Sequence, residues 1–404
     1  MDKPNHRQRL IIHLSGLITH RQIQSAAVFS LSGHITIRVN YPLLRTWTDG
    51  AKWLSNYKFK RIIIMQTGVQ FYLGIDISKP YFDASLLVVL NHQKQPMETE
   101  RFTNDATGLK LFHKWLKLFK VSFDSNTLLV IENTGIYHRL VWNYCSQKNI
   151  PIHIGNAAHI KWSFGIARGK SDKIDSQRLC NYAHKHGDEL KASPSLDASL
   201  MQLKDLMTSR SKLLSQLNSN KTYLKELKEV SDKTIQATLE KAYKTAIEGI
   251  AQSIKKIEQL IKDSIANNAS FKHHYELLIT VPGIGHLTAV YLICCTNNFA
   301  GKISGKQLAC YAGVVPFEHS SGISVRGRSR VHKMANKDLK KLLHLSALSA
   351  IKNHAEFAQY YQRKKAEGKH SLSILNAVRN KIVLRAVAVV NNQKAYVNNQ
   401  QATA

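Results

Sequence analysis

From about residue 70 to residue 185, the chain alternates short apolar runs with segments of helical periodicity. Five strands are predicted there, at residues 71–77, 85–90, 98–103, 128–131 and 151–154. Apolar residues at helical spacing predict helices over residues 108–119 and 137–147. Three early strands followed by alternating helix and strand indicate a mixed α/β sheet.

Residues 196–268 repeat leucine and isoleucine at roughly heptad spacing, with Lys and Glu on the other faces. The pattern predicts a helical hairpin or coiled coil that serves in dimerisation or as a spacer; two helices packed on their own domain are the alternative. A compact helical domain is predicted to follow, ending near residue 390.

The first 64 residues keep no sustained period of 2 or 3.6, and a well-formed strand follows soon after Met65. We therefore expect an upstream extension or disordered leader, with a small accessory segment as the alternative. The predicted divisions are the leader at 1–64, an α/β domain at 65–190, a helical coiled-coil linker at 191–270, a helical C-terminal domain at 271–390 and a polar tail at 391–404.

Charge adds the first functional clue. Lys and Arg number 57 against 27 Asp and Glu, which gives a net charge of +30. Such a surplus attracts polyanions, so we expect nucleic acid as the partner, with an acidic membrane surface as the alternative. The positive residues are spread along the chain, which favours a broad electropositive surface over a basic arm.

Cysteine usage and hydropathy narrow the setting of the protein. The five cysteines, Cys145, Cys180, Cys294, Cys295 and Cys310, form no C-x-x-C pair. We therefore expect small core residues in a reducing cytoplasm rather than a zinc site or a disulfide framework. No apolar run reaches 18 residues and the N-terminus lacks signal-peptide features, so no membrane segment is expected.

Two acids follow apolar strands. Asp76 ends the run in Gly74-Ile75-Asp76-Ile77, and Glu132 follows Val130-Ile131 just before a glycine turn. Each alone could be an ordinary turn acid. Together, two strand-end carboxylates in one sheet can converge on a cation, because burying such groups is costly unless they are paired or bind one.

A second acid pair stands in Ser171-Asp172-Lys173-Ile174-Asp175. At the start of a helix, this spacing of three puts Asp172 and Asp175 on one face. An N-cap with a first-turn acid is the alternative interpretation. With Asp76 and Glu132, the set suits Mg²⁺ or Mn²⁺ and two-metal chemistry on a phosphodiester of DNA or RNA.

Two further motifs lie in the C-terminal half. Pro282-Gly283-Ile284-Gly285 between two helices is typical of a helix-hairpin-helix, whose backbone N–H groups approach phosphates; a plain glycine turn is the alternative. Ser320-Ser321-Gly322 precedes alternating arginines and could set a hydroxyl against a phosphate, although residue types alone favour a solvated loop.

In this order, the segments GIDISK, ENTGIY, KSDKIDS, VPGIG and YAGVVPFEHSSG resemble the DEDD transposases of the Piv-invertase type. That family is encoded by insertion sequences and includes the bridge-RNA-guided recombinases. The resemblance spans roughly residues 70–390. It implies an RNase H-like catalytic domain, a helical linker and a C-terminal transposase domain.

By motif match, the resemblance implies metal ligation by Asp76, Glu132, Asp172 and Asp175, and attack on DNA by Ser321, with Ser320 as the adjacent alternative. It also implies a structured guide RNA that pairs with donor and target DNA. Strand exchange needs at least two active sites, so we expect a homodimer or homotetramer. Candidate nucleic-acid contacts are Lys170, Pro282, Gly283, Gly285, Ser320, Arg326, Arg328, Arg330 and Lys333.

Two rival functions share these motifs. A structure-selective nuclease, such as a junction resolvase, would use the four acids and need no serine. A non-catalytic nucleic-acid-binding protein would keep the acids for structure alone. The spacing of all four acids favours an enzyme.

Overall fold

A computed structural model describes residues 26–29, 35–38, 68–133, 135–165, 171–230, 232–321, 325–331 and 334–397. Of these, residues 26–29, 35–38, 318–321, 325, 326, 328 and 330 are described by their backbone alone. The chain divides into two compact units, residues 1–137 with 155–189 and residues 138–154 with 190–404. Within residues 1–64, strands β1 (Ala26–Phe29) and β2 (Ile35–Arg38) pair antiparallel.

A six-stranded mixed sheet organises the first part of the chain; the apolar pattern predicted a mixed sheet of five strands, and the short β5 is the strand it did not predict. Its strands are β3 (Val69–Ile77), β4 (Tyr81–Leu90), β5 (Gln93–Lys94), β6 (Glu98–Thr103), β7 (Thr127–Glu132) and β8 (Ile152–Gly155). Their order is β5-β4-β3-β7-β8, and β6 also pairs with β4. Strands β3 and β4 are antiparallel, whereas β3 and β7 are parallel.

Aromatic packing holds helix α1 (Ala106–Leu118) on the sheet. The side chain of Asp105 caps the helix by accepting a hydrogen bond from the Gly108 N–H at 2.7 Å. Phe112 and Trp115 on its buried face meet Phe82 and Phe102 of the sheet, with ring centroids 5.4 to 5.8 Å apart. Such edge-to-face contacts add specificity to the apolar area that the helix buries.

Helix α4 (Asp172–His186) follows helix α3 (Ala157–Ser163) and lies directly on strand β3. A Cβ built at Gly74 would stand 2.0 Å from the backbone nitrogen of Cys180 and 2.3 Å from the backbone oxygen of Ser176, so only glycine lets the helix approach the strand this closely. Polar contacts also join α4 to the sheet. The buried Ser176 and Ser85 hydroxyls lie 2.8 Å apart, and the Cys180 thiol donates to the Tyr72 carbonyl at 3.1 Å.

We expect Gly74→Ala to destabilise the protein by about 3 kcal/mol or more, because the added methyl meets backbone atoms that cannot rotate away. Urea unfolding would measure the loss. Gly249→Ala is the matched control, since open space surrounds Gly249 within a long helix and alanine there should add roughly 0.5–1 kcal/mol. An unchanged free energy of unfolding for Gly74→Ala would contradict the close seat of α4 on β3.

The second unit contains helix α2 (Arg139–Lys148) and a long helical hairpin, α5 (Ala198–Val230) with α6 (Lys233–Ala266). Cross-pairs fix an antiparallel register: Arg210 pairs with Glu258, the rings of Tyr223 and Tyr243 lie 5.8 Å apart, and Lys228 pairs with Glu240. The heptad pattern therefore corresponds to a two-helix hairpin. Of its buried residues, Leu200, Leu203, Ile261 and Ile265 belong to the apolar core shared with the chain's other helices, whereas Leu217 and Ile254 lie nearer the middle of the hairpin.

Six helices follow and share one apolar core with the base of this hairpin. They are α7 (Ala269–Ile279), α8 (His286–Cys295), α9 (Gly305–Tyr311), α10 (Lys337–Asn353), α11 (Ala355–Ala366) and α12 (Ser371–Asn391). Between α9 and α10 runs an antiparallel strand pair, β9 (Phe317–Ser321) and β10 (Val325–Arg330). The sequence pattern favoured a solvated loop there, although its alternating arginines also have the period of a strand.

The cysteine prediction is confirmed for three of five side chains. Cys145, Cys180 and Cys294 are buried and Cys295 is half-buried, but Cys310 is exposed on α9. All five are free thiols. Among the helices that the structure describes, none combines the length and apolar character needed to cross a bilayer.

Candidate active site

Strands β3 and β7 bring the first two predicted acids to one edge of the sheet. The strands are parallel and pair Ile75 with Ile131, so Asp76 and Glu132 occupy the next positions on both. Both acids are half-buried at the carboxyl ends of these strands. The convergence expected from their strand-end positions is therefore present.

Helix α4 adds the second pair from its first turn. The Ser171 hydroxyl caps the helix by accepting the Ile174 N–H at 3.3 Å, and Asp172 and Asp175 follow directly. Because α4 is seated on β3 at Gly74, this first turn lies over the end of the strand that carries Asp76. The N-cap interpretation is therefore confirmed for Ser171, and the assignment of Asp172 and Asp175 to a site stays a prediction.

Electrostatic coupling shows that the four carboxylates share one environment. Burial, followed by the charges of Asp172, Asp175 and Glu132, raises the pKa of Asp76 from its ordinary 3.8 to about 6. Burial and the Asp175 charge also raise the pKa of Glu132. Like charges placed so that they oppose one another's ionisation are typical of sites that bind cations or move protons.

The carboxylates on α4 are held by neighbouring side chains. Asp172 accepts a hydrogen bond from the Tyr81 hydroxyl at 3.0 Å and lies 3.4 Å from the Arg101 guanidinium. Asp175 pairs with Arg178 at 2.7 Å. Within the described ranges, no group of three or more His, Cys, Asp or Glu side chains is arranged to hold a metal ion. The donor type fits Mg²⁺ or Mn²⁺, but the α4 carboxylates would have to turn from these partners to act as ligands.

A fifth carboxylate, which the sequence analysis missed, lies beside the four. Asp83 stands opposite Asp76 in the β3–β4 register and is only 4% exposed. Arg101 binds it with two hydrogen bonds, of 3.1 and 2.8 Å, while its guanidinium stacks 3.8 Å from the Tyr81 ring. The predicted second strand began at residue 85, whereas β4 begins at Tyr81, so Asp83 lay outside the predicted strand.

The Pro-Gly-x-Gly segment joins α7 to α8, as predicted for two helices linked by a glycine turn. Its two glycines differ in surroundings. Gly283 has φ +87°, and a Cβ there would meet the Ser346 oxygen at 2.4 Å, so this glycine serves packing against α10. Gly285 caps α8 and has open space around it, which leaves its backbone accessible.

The serine segment forms the turn end of the β9–β10 hairpin. Ser321 pairs with Val325, and Ser320 pairs with Arg326. Arg328 and Arg330 follow along β10. Of the other predicted contacts, Lys170 and Lys333 lie outside the described residues.

The base of the β9–β10 hairpin is fastened on both sides. Asn336, just after it, donates its N–H to the Tyr311 carbonyl at 2.8 Å, and its side-chain amide bonds the Tyr311 hydroxyl at 2.8 Å. Gly313 adopts φ +64°, and a Cβ there would meet the Ala335 side chain at 2.3 Å. The chain therefore enters and leaves the hairpin at fixed points.

Comparisons with known proteins agree with this architecture. A family model of transposases of the IS110 DEDD type matches residues 73–229, and one described as the IS116/IS110/IS902 transposase family matches residues 275–362. The two matches together span more than half of the chain.

Pilin gene-inverting proteins of Moraxella bovis and Moraxella lacunata are each 27% identical over 334 residues, which covers 80% of this chain and 97% of theirs. An uncharacterised 43.6 kDa protein of insertion element IS110 from Streptomyces coelicolor is 32% identical over 107 residues, or 26% of each chain.

Proposed function

The chain belongs to the IS110-type DEDD transposases, and from that premise we propose that it cuts and rejoins the DNA strands of its own insertion element with a metal-bound set of four acids and a serine nucleophile. The family establishes DNA transposition or recombination as the activity. The proposal concerns the residues and the chemistry through which this chain performs it.

One observation supports the acidic set above all others. Asp76, Glu132, Asp172 and Asp175 come from three separate elements, yet burial together with the charges of the other three raises the pKa of Asp76 to about 6. Buried acids with a purely structural role are usually paired with a nearby cation or hydrogen-bond donor. Here Asp76 is surrounded mainly by other acids, which is the environment that a bound divalent cation would relieve.

We assign Mg²⁺ or Mn²⁺ ligation to these four carboxylates, on an RNase H-like arrangement of sheet and helix. Divalent cations held there supply charge that polarises a scissile phosphate and stabilises the departing oxygen. The ion pairs of Asp172 with Arg101 and of Asp175 with Arg178 keep the α4 acids compensated when no cation is present.

The serine step is an exchange of phosphate esters. The Ser321 oxygen attacks the scissile phosphorus, a phosphoserine ester forms, one DNA P–O bond breaks, and the released DNA hydroxyl takes a proton. A hydroxyl of another strand then attacks the phosphoserine, so the DNA ester re-forms and the serine is freed. Because one phosphate ester replaces another in each step, no ATP is needed. Arg326, Arg328 and Arg330 would balance the phosphate charge.

Partners follow from the same chemistry. DNA of the element ends and of the target is the substrate, and a structured guide RNA made by the element would select it. The +30 net charge suits both polyanions. Pro282, Gly283 and Gly285 of the α7–α8 turn, with Lys170 and Lys333, would add backbone contacts. Strand exchange between two duplexes requires at least a homodimer, in which the α5–α6 hairpin would take part. These steps would take place in the cytoplasm.

The relatives' names are consistent with this reaction. The two Moraxella proteins are named for inverting a pilin gene, and inversion requires both cutting and rejoining of DNA. A nuclease that only cuts would leave broken ends.

The first experiment traps the covalent intermediate. Full-length protein with its co-purified RNA is incubated with labelled element-end DNA and Mg²⁺, denatured, and digested for mass spectrometry. We expect DNA attached to the peptide that contains Ser320 and Ser321, and no attachment when EDTA replaces Mg²⁺. Metal-dependent cutting without any adduct would instead support a junction-resolving nuclease.

A further inference from the structure

The second unit contains a deeply buried arginine whose charge no acid balances. Arg379, in the middle of α12, is 9% exposed. Its Nη2 lies 2.5 Å from the His344 Nδ1 of α10, and its Nε is buried without a hydrogen-bond partner. None of the Asp and Glu side chains in the described segments forms an ion pair with it.

Other arginines of the second unit behave differently. Arg139, Arg210 and Arg385 are half-buried, and each pairs with an acid: Asp205, Glu258 and Glu356 respectively. The charges of these less buried arginines are thus each balanced by an acid, whereas the charge of the more buried Arg379 is not. Burying an unpaired guanidinium costs free energy, so a fold that keeps one has a use for the charge.

The His344 ring holds the guanidinium in place. Burial and the Arg379 charge lower the pKa of His344, so its imidazole is neutral at physiological pH. A neutral ring whose Nδ1 accepts from Arg379 carries its proton on Nε2, which points away from the guanidinium. The remaining N–H groups of Arg379 are therefore the donors, and guanidinium donors without a carboxylate partner suit a phosphate oxygen.

The position of Arg379 connects this pair to the serine hairpin. Asn376 lies one turn earlier on the same face of α12 and donates its side-chain amide to the Val314 carbonyl at 2.7 Å. Val314 is three residues before β9 begins. Asn380, next to Arg379, has a buried amide oxygen without a partner. The unsatisfied Arg379 Nε therefore lies about one helical turn from the residue that contacts the segment leading into the hairpin.

We infer that Arg379, assisted by His344, binds a backbone phosphate of nucleic acid at the base of the β9–β10 hairpin. The inference rests on the proposed function for the identity of the polyanion, but it requires no covalent serine step. The ligand chemistry is a phosphodiester, which either the DNA substrate or the guide RNA could provide.

The test compares Arg379→Met with the wild-type full-length protein. Binding of a labelled duplex DNA and of a labelled RNA stem-loop is measured by anisotropy over a range of NaCl. We expect about tenfold weaker binding to one of the two probes, with the slope of log K against log salt reduced by about one. The affected probe identifies the source of the phosphate.

Thermal unfolding without nucleic acid supplies the second readout. Methionine keeps the length and removes the uncompensated charge, so we expect an unchanged or higher Tm for Arg379→Met. A structural arginine would give a lower Tm, or a variant that fails to fold, with an unchanged salt slope for any protein recovered. Either of these results would overturn the inference.

Arg385→Gln is the matched control on the same helix. Arg385 is paired with Glu356 and stacked 4.7 Å from Phe357, so its loss should lower Tm and leave the salt slope unchanged. The binding assay is also independent of the adduct assay. If the wild-type protein forms no adduct but Arg379→Met still weakens binding, only the serine mechanism is refuted. If the adduct forms but Arg379→Met binds both probes normally, only the phosphate site is refuted.

Discussion

Asp76→Asn is expected to abolish metal-dependent DNA cutting, with a loss on the order of 10³-fold, while making the metal-free protein more stable. The loss of activity follows because Asp76 would hold the metal ion that contacts the scissile phosphate. Such contacts are worth several kcal/mol in the transition state. The gain in stability follows from burial and from the charges around Asp76, because asparagine removes a buried carboxylate that Asp172, Asp175 and Glu132 oppose.

The sign of the pH effect is fixed by the direction of the shift. The pKa of Asp76 is about 6 in the folded protein and about 3.9 in an unfolded chain. The ionised Asp76 therefore lowers the free energy of unfolding by its full amount above about pH 6, and by nothing below about pH 4. We expect Asp76→Asn to add roughly 1–2 kcal/mol at pH 7, after allowance for solvent screening, and nothing at pH 4.

Urea unfolding at both pH values, in EDTA, and a cleavage assay in Mg²⁺ would measure these effects. Asp105→Asn is the matched control in the same unit. It makes the same chemical change at the N-cap of α1, where hydrogen bonds from the Gly108 N–H and the Thr103 hydroxyl lower the pKa of Asp105, so activity should persist and stability at pH 7 should not rise. Full cleavage by Asp76→Asn would remove Asp76 from the site, and a lower stability at pH 7 would contradict the electrostatic argument.

Ser321→Ala is expected to remove the DNA–protein adduct and strand rejoining, by about 10³-fold or more, because without the hydroxyl no phosphoserine can form. The variant should still fold, which urea unfolding would check, so that a lost adduct reflects the missing hydroxyl. Denaturing gels of labelled DNA, with a strand-rejoining assay beside them, would record both activities.

Ser320→Ala is the natural partner of this variant. The two serines are successive residues of β9 and pair with Arg326 and Val325, so the two variants remove the same hydroxyl group at adjacent positions of one strand. We expect Ser320→Ala to keep the adduct. If it loses the adduct and Ser321→Ala keeps it, Ser320 is the nucleophile. If both variants cut DNA normally with no adduct in the wild type, the enzyme is a nuclease.

The acidic set could be predicted because each acid follows a local signal. Asp76 and Glu132 are the first ionisable residues after buried runs, and Asp172 and Asp175 have helical spacing behind a serine cap. Local patterns fix strand ends and helix starts. The parallel pairing of β3 with β7 then puts the strand acids side by side, as the sheet type implied.

Asp83 and Arg379 could not be predicted in the same way, because their meaning depends on distant partners. Asp83 lies beside the site because the β3–β4 register pairs it with Asp76, and Arg101, which binds it, belongs to a third strand. The sequence shows Arg379 and Arg385 as equivalent cations of one helix. Which of them meets an acid is decided by the packing of α11, which carries Glu356, against α12.

The glycine at position 74 has a consequence for any attempt to map this enzyme by saturation mutagenesis. A screen that scores transposition alone would rank Gly74 with Asp76, because every substitution at either position should silence the element. Yet Gly74 has no functional group and acts only by letting the Cys180 backbone approach β3. A parallel screen for protein abundance would separate the two, since intolerance at Gly74 reflects lost folding and intolerance at Asp76 reflects lost chemistry.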